Sequence, residues 1–261
     1  MPPGTADWDA KAYDRLAAPQ EEWSRDVLAR LPLKGDETVL DAGCGSGRVT
    51  KLLLDRLPAG RVIGIDGSES MVEEARRSLA AYGERVELVH SNLLELELEE
   101  PVDAVFSNAV FHWISDHDQL FRRLHATLKP GGRLAAQCGG EGNVANWVAA
   151  IKRAARREPF AAHLADRPEP WYYATVEETE ARLRRAGFVE TRCWLEERVV
   201  EPEDPRHYVA VVGLAAHHEL LPPELREPFT DAVDRELPRP LVLRYVRLNI
   251  EARAAGGPAG S

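Results

Sequence analysis

The sequence predicts an α/β fold: a doubly wound, mostly parallel sheet of seven strands, with an antiparallel late strand and a helical cap. Three observations carry this. Short apolar runs alternate with helical patterns from Thr38 to Gln137, as expected of β-α-β units joined by crossovers. A glycine-rich stretch, Gly43-Cys44-Gly45-Ser46-Gly47, stands where the first apolar run meets the first helix. After residue 140 the texture changes, with aromatics and prolines interrupting the alternation before two more extended runs.

The elements follow in order. Thr38–Asp41 (TVLD) is a short strand ending in an acid, and Val49–Leu57 spreads Leu52, Leu53 and Leu57 at helical spacing. Val62–Asp66 (VIGID) is the second strand. A helix begins near Ser70, where Ser70 and Glu73 form a capping-box pattern, and turns Met71, Val72, Ala75 and Leu79 inward. Val86–His90 and Ala104–Ser107 are the third and fourth strands. Ser115 and Asp118 suggest a cap for a helix running through Leu128. Pro130-Gly131-Gly132 reads as a turn and Arg133–Gln137 as the fifth strand. Asn143–Arg157 is helical and Glu158–Tyr173 irregular and aromatic. Thr175 and Glu178 form another capping box, Gly187 ends that helix, and Phe188–Leu195 is a strand. Glu203–Leu237 reads as two helices broken at Pro222-Pro223, and Leu241–Ile250 as the last strand, antiparallel at the sheet edge.

Composition sets bounds on function. The chain has 261 residues, 44% hydrophobic and 29% charged, an ordinary globular balance. Its net charge of −10, from 33 basic and 43 acidic residues, suits nucleic acid poorly as a partner. The densest basic run, Lys152–Arg157, has the spacing of a wet helix face. No apolar stretch approaches the ~20 residues that span a bilayer, so no membrane partner is expected. The N-terminus MPPGTADWDA has no basic region followed by an apolar run, hence no secretory signal is expected. Cys44, Cys138 and Cys193 are far apart and odd in number, which suits a reducing cytoplasm better than a disulfide framework. The pair His217-His218 lacks companions at ligand spacing, so it reads as exposed, and no metal site is expected.

The most informative stretch is Val39-Leu40-Asp41-Ala42-Gly43-Cys44-Gly45-Ser46-Gly47. Glycine admits positive φ and close approach of a ligand to the backbone. The helix beyond presents free N–H groups. Nineteen residues after Gly47 the second strand ends in Asp66, whose carboxylate can accept both hydroxyls of a ribose. The nicotinamide fingerprint G-x-G-x-x-G fails, because the position three after Gly45 is Arg48 and the third glycine arrives early at Gly47. The phosphate-loop pattern G-x-x-x-x-G-K-[ST] is absent as well.

DAGCGSG, VIGIDGSESM, DAVFSNAVFHWISD and LKPGGRL resemble the motifs of class I S-adenosylmethionine-dependent methyltransferases. The resemblance covers Thr38–Gln137 and extends more weakly to Trp8, Tyr13, Gln20 and Trp23 and to the final strand. SNAVFHW and YVRLNIEAR are most similar to the trans-aconitate methyltransferases and the juvenile hormone acid methyltransferases, which methylate carboxylates. The resemblance implies a Rossmann-like methyltransferase fold and S-adenosylmethionine as cofactor. It implies that Asp41 and the backbone of the loop Gly43, Gly45 and Gly47 hold the methionine portion. It gives Asp66 the ribose, and places Gly67 and Met71 beside the adenosine. Asn92 stands where the family has an acid facing the adenine amino group, Leu93 N–H would reach a ring nitrogen, and Asn108 would offer its carbonyl to the methionine ammonium. The implied division is an N-terminal cap and helix over residues 1–36, a cofactor-binding core over 37–140, and a helical, aromatic cap over 141–174. Residues 175–250 complete the sheet, with a helical insertion at about 203–237, and 251–261 form a flexible tail.

Methyl transfer is an in-line displacement whose leaving group needs no acid, so the protein's task is positioning and exclusion of water. A carboxylate acceptor needs no base, whereas a phenol, amine or carbon acid benefits from one. His112 is the candidate base, with a packing or solvent-facing histidine as the alternative. Trp113 is a candidate wall and N–H donor to the acceptor, or a core residue. Gln20 matches a glutamine facing the acceptor carboxylate in the relatives, or is a surface residue. Arg244 and Arg247 are three apart on the last strand and face opposite sides. Arg247 is either an anion anchor or half of a structural salt bridge. Trp8, Tyr13, Trp23, Trp147 and Trp171-Tyr172-Tyr173 pack the core, or close over a cofactor and line an apolar pocket. The expected function is methylation of a small-molecule acceptor, favouring a carboxylate. The alternatives are a carbon, nitrogen or phenolic acceptor, and a cofactor-binding protein without catalysis.

Overall fold

A computed structural model describes residues 18–256, with side chains from Glu22 onward. Its centre is a seven-stranded sheet in the order β3-β2-β1-β4-β5-β7-β6. After helix α1 (Ala18–Ala29), β1 (Thr38–Ala42) pairs in parallel with both β2 (Arg61–Asp66) and β4 (Val102–Asn108). Helices α2 (Arg48–Arg56) and α3 (Glu69–Ser78) make the crossovers between β1, β2 and β3 (Val86–His90). Helix α4 (His117–Ala126) leads into β5 (Leu128–Gly139). β1 and β4 are buried on both faces, as expected of parallel strands covered by helices. On one face Val27, Leu53, Leu54 and Ala75 pack against Val39 and Phe106. On the other, Phe121, Leu124 and Leu183 pack against Leu40, Val105 and Ile250.

Among the boundaries that differ from the sequence reading, three are set by a hydrogen bond that selects another position. The cap of α3 is Ser68, whose Oγ accepts from Met71 N, while Ser70 already lies in the first turn. The cap of α4 is Asp116, not Ser115, with its carboxylate 2.8 Å from Gln119 N. β5 continues through Pro130-Gly131-Gly132, held by Arg253 Nε on the Gly131 carbonyl. The capping box at Thr175 and Glu178 forms as read, opening α7 (Val176–Arg185).

The late strands are longer than their apolar runs. β6 (Phe188–Val200) and β7 (Leu243–Ala254) pair antiparallel along nearly their whole length, and β7 also pairs antiparallel with β5. Residues 251–254, assigned above to a flexible tail, therefore belong to the sheet, because ladder partners extend the strand beyond its apolar centre. Between the strands lie α5 (Ala145–Ala155), the short α6 (Ala161–Leu164), α8 (Pro205–Tyr208), a π-helical turn at Val209–Gly213, α9 (Ala215–Leu220) and α10 (Pro223–Glu236). The cap and the insertion, read as separate segments, share one hydrophobic cluster. Trp147, Ile151 and Phe160 pack there with Val209, Phe229 and Val233. Glu236 of α10 also bridges Arg153 of α5 and Arg157 just after that helix. His217, read as exposed, is buried in this cluster against Trp171 and Phe229, with ring centroids 5.4 and 6.0 Å away. Burial pushes its pKa down to about 4. Helical spacing sets its face, which residue identity alone does not reveal.

Candidate active site

β1 to β4 all run in one direction, so the loops after them meet at the carboxyl edge of the sheet. The strand order reverses between β1 and β4, the switch point where open α/β sheets bind ligands. The glycine loop is pinned there by its own backbone: Gly43 N and Cys44 N both donate to Ile65 O at the end of β2, at 2.7 and 3.0 Å. Gly43 sits at φ 90, and a Cβ there would meet Val110 Cγ2 at 2.1 Å. Gly45 sits at φ 54 with nothing within 4 Å of an added Cβ. The first glycine therefore admits the chain after β4, while the second faces open space at the sheet edge. Gly47 caps α2.

The two acids close this loop from below and beside. Asp41, 1% exposed, accepts from Thr50 Oγ1 at 2.7 Å. Burial raises its pKa to about 7, with the nearby Asp66 adding repulsion. Asp66 accepts from Gly45 N and Ser68 N, both at 2.9 Å, one on each carboxylate oxygen. Burial raises its pKa as well, against the pull of those donors. Each oxygen keeps a lone pair for a further donor. Gly67 follows directly, and Met71 is buried in the first turn of α3. Ser91 N donates to Asp66 O, bringing the β3 loop alongside. In that loop Asn92 Oδ1 caps a 3-10 turn by accepting from Leu94 N at 2.9 Å, and Leu93 is buried. Asn108 ends β4, and Ser107 Oγ ties that end to Ala42 O at 2.7 Å. The loop, both acids and the ends of β3 and β4 are thus assembled along one edge.

Immediately after β4 the chain turns sharply, with Ala109 at φ 62, and enters a 3-10 turn at Phe111–Trp113. This turn carries His112 and Trp113 to one wall of a cavity of about 60 Å³. Cap and insertion line it too, with Trp147, Val148 and Ile151 of α5 and Val212 and Gly213 of the π turn. Trp171 and Tyr173, stacked at 6.2 Å and 7°, form a third side. β7 contributes Tyr245 and Arg247, the latter opposite Gly139 in the ladder. Arg244 faces the other way and is exposed beside Glu197.

Burial holds two titratable groups of this cavity, His112 and Tyr173, in their neutral forms near neutrality. His112 is 8% exposed, and Gly139 N donates to its Nδ1 at 3.3 Å. The neutral ring therefore carries its proton on Nε2. Burial, then the charge of Arg247, holds its pKa well below the ordinary value. Tyr173 is bonded to Asn143, and burial pushes its phenol up to about 12. Arg247 is 3% exposed; its Nε donates to Gln137 Oε1 at 3.2 Å and its guanidinium lies 5.2 Å from the Trp23 ring centroid. Gln137 Nε2 continues to Asn249 Oδ1 at 2.7 Å, which Arg30 Nη1 also reaches at 2.6 Å. No Asp or Glu lines the cavity among the described residues.

Sequence reading named His112, Trp113 and Arg247, and all three line this cavity. It gave no site role to Asn143, Tyr245 or the Gln137–Asn249 support: Tyr245 and Asn249 entered only as letters of the YVRLNIEAR resemblance, and which way a polar side chain is used depends on contacts between distant segments. Gln20 falls in the first turn of α1, and its side chain, like Trp8 and Tyr13, lies outside the described residues. No metal-ligating group of three or more His, Cys, Asp or Glu occurs among the described residues, and no described helix is long and apolar enough to cross a membrane.

A family model described as a methyltransferase domain matches residues 39–132. The chain is 33% identical over 249 residues to the trans-aconitate 2-methyltransferase of Methylobacterium nodulans, covering 95% of this chain and 90% of that one. It is 42% identical over 130 residues to the trans-aconitate 2-methyltransferase of an Azoarcus species, an alignment spanning 50% of each chain. The fold is similar to that of phosphoethanolamine N-methyltransferase 2 from Haemonchus contortus, solved with S-adenosylmethionine, at TM-score 0.59 and 20% identity over 95% of this chain and 57% of that one. The Methylobacterium alignment is long enough to take in core, cap and late strands together, and on it the chain belongs to the trans-aconitate 2-methyltransferase family of class I S-adenosylmethionine-dependent methyltransferases.

Proposed function

We propose that the chain methylates a carboxylate oxygen of a small-molecule acceptor, and that the cavity beside the glycine loop receives that acceptor. The observation behind this reading is the charge state of the cavity. Its lining holds a buried guanidinium, a neutral N–H donor at His112 and no group placed to take a proton. A carboxylate is already ionised and needs no base, whereas a phenol or protonated amine must lose a proton to attack.

S-adenosylmethionine supplies an electrophilic sulfonium methyl whose leaving group is a neutral thioether. The fit of this chain to that cofactor rests on the open cradle at Gly45 and the unfilled lone pairs of Asp66. In this reading Asp66 receives the ribose hydroxyls, and Asp41 with Gly43, Gly45 and Gly47 holds the methionine portion. Gly67 and Met71 flank the adenosine. Asn92 and Leu93 meet the adenine, with the Asn92 oxygen shared between Leu94 N and the ligand. Asn108 meets the methionine ammonium through its carbonyl. Arg247 and His112 Nε2–H bind the acceptor carboxylate, Trp113 and the cap shut out water, and Gln20 is assigned to the acceptor on its match to the relatives' glutamine alone. Holding nucleophile and methyl in line this way is worth ~7–11 kcal/mol of barrier. The buried thiols Cys44, Cys138 and Cys193 are all free, which supports a cytoplasmic placement.

The test is incubation with methyl-labelled cofactor and a panel of carboxylic acids, phenols and amines. Label in base-labile esters is the expected product. Label confined to alkali-stable ethers or amines would contradict the carboxylate reading.

A further inference from the structure

The relatives' name specifies a tricarboxylate, yet this cavity is built for less charge. We infer that the acceptor is a monocarboxylate with an apolar body, not a tricarboxylate; this rests on the carboxylate reading above. Among the described residues the cavity lining holds one cation, Arg247, contributed by β7. Most of the remaining lining is apolar: Trp113, Trp147, Val148, Ile151, Trp171 and Val212 come from four segments and present rings and branched aliphatic chains. The indole Nε1–H of Trp147 is buried with no partner among the described residues. As a neutral donor it suits a carbonyl, ether or hydroxyl oxygen, and it cannot neutralise a second carboxylate.

Charge accounting decides between the two acceptor classes. One ionised carboxylate is matched by one guanidinium and by the His112 N–H. A tricarboxylate brings two more anions against an apolar wall, and a buried ion without a counter-ion is strongly disfavoured. His112 offers no second cation, since Arg247 and burial keep it neutral. An apolar body instead removes its own surface from water along with that of the wall. The arrangement selects for one charged end and one apolar end.

The experiment compares kcat/KM of the full chain, at saturating S-adenosylmethionine, for octanoate and cinnamate against trans-aconitate and citrate. The monocarboxylates are expected to exceed the tricarboxylates by about 100-fold or more. A tricarboxylate preferred over both would overturn the inference and leave the carboxylate reading standing. Methylation of phenols or amines with no acid used would overturn both. A second measurement uses Val148→Lys, a half-buried position on the apolar wall. The added ammonium should shift the ratio of tricarboxylate to monocarboxylate kcat/KM upward by about tenfold or more. A ratio that does not move, in a variant that still binds cofactor, would show that this wall does not face the acceptor and would overturn the inference.

Discussion

His112 shows how one backbone hydrogen bond restricts a side chain's chemistry. With Gly139 N on Nδ1, the free nitrogen carries a proton and can donate but not accept. His112→Ala should then slow turnover only by losing one hydrogen bond, about tenfold, without adding a limb to the pH profile. A loss of ~10²–10⁴-fold with an altered profile would mark it as a base. Asp41 gives a second expectation. Its pKa, raised to about 7, exceeds the ordinary 3.8, so the proton it binds stabilises the folded chain in acid. That contribution fades as pH rises through 7. Bound cofactor carries positive charge toward this carboxylate, so binding at about pH 6 should release close to one proton and tighten as pH rises. Calorimetric titration in buffers of different ionisation enthalpy measures this; no proton release would separate Asp41 from the cofactor. For Asp66→Ala, loss of a charged acceptor for two hydroxyls should weaken cofactor binding by ~2 kcal/mol or more.

At the scale of elements, the glycine loop makes two glycines separable. Gly43→Ala drives a methyl into Val110 at 2.1 Å and should lower thermal stability and cofactor binding together. Gly45→Ala meets no atom. It should keep its fold at a cost of about 1–2 kcal/mol for the left-handed residue while losing cofactor affinity. Denaturant titrations alongside binding isotherms distinguish the two; equal destabilisation would mean that the second glycine serves the turn alone. The elements of the core were readable because periodicity and glycine placement are local. Two of the three caps were readable only to within two residues, since Ser68 and Ser70, or Ser115 and Asp116, are equivalent as letters, whereas the Thr175 box was readable outright. Geometry then selects the residue whose oxygen reaches the third N–H along. The extension of β6 and β7 was not readable, because a ladder on both sides of β7 holds polar residues extended that no local pattern would assign.

At the scale of the molecule, the cofactor half of the site was legible and the acceptor half was not. Asp41, the glycines and Asp66 follow one another in sequence within a single β-α-β unit. The acceptor cavity instead joins a turn after β4, α5, a π turn and β7, segments spread over more than a hundred residues of chain. Whether Trp147 lines a cavity or fills a core depends on its packing against Gly213 and Tyr208. Arg247 is set apart from Arg244 by strand alternation alone, but its role depends on what faces it. The hydrogen-bonded chain from Arg247 through Gln137 and Asn249 to Arg30 joins strands β5 and β7 to the turn that follows α1.

The central claim is methyl transfer to an anion already ionised, with no protein base. The most direct measurement is the pH dependence of kcat for a carboxylic acid at saturating cofactor and acceptor, with the label followed into a base-labile ester. Saturation removes the Asp41 effect on cofactor binding, and His112 and Tyr173 lie outside the range. The rate should be flat from about pH 6 to about pH 9. A rate that rises tenfold per pH unit through an apparent pKa between those limits would contradict the account, because it would require a group in the site to give up its proton before the methyl can move.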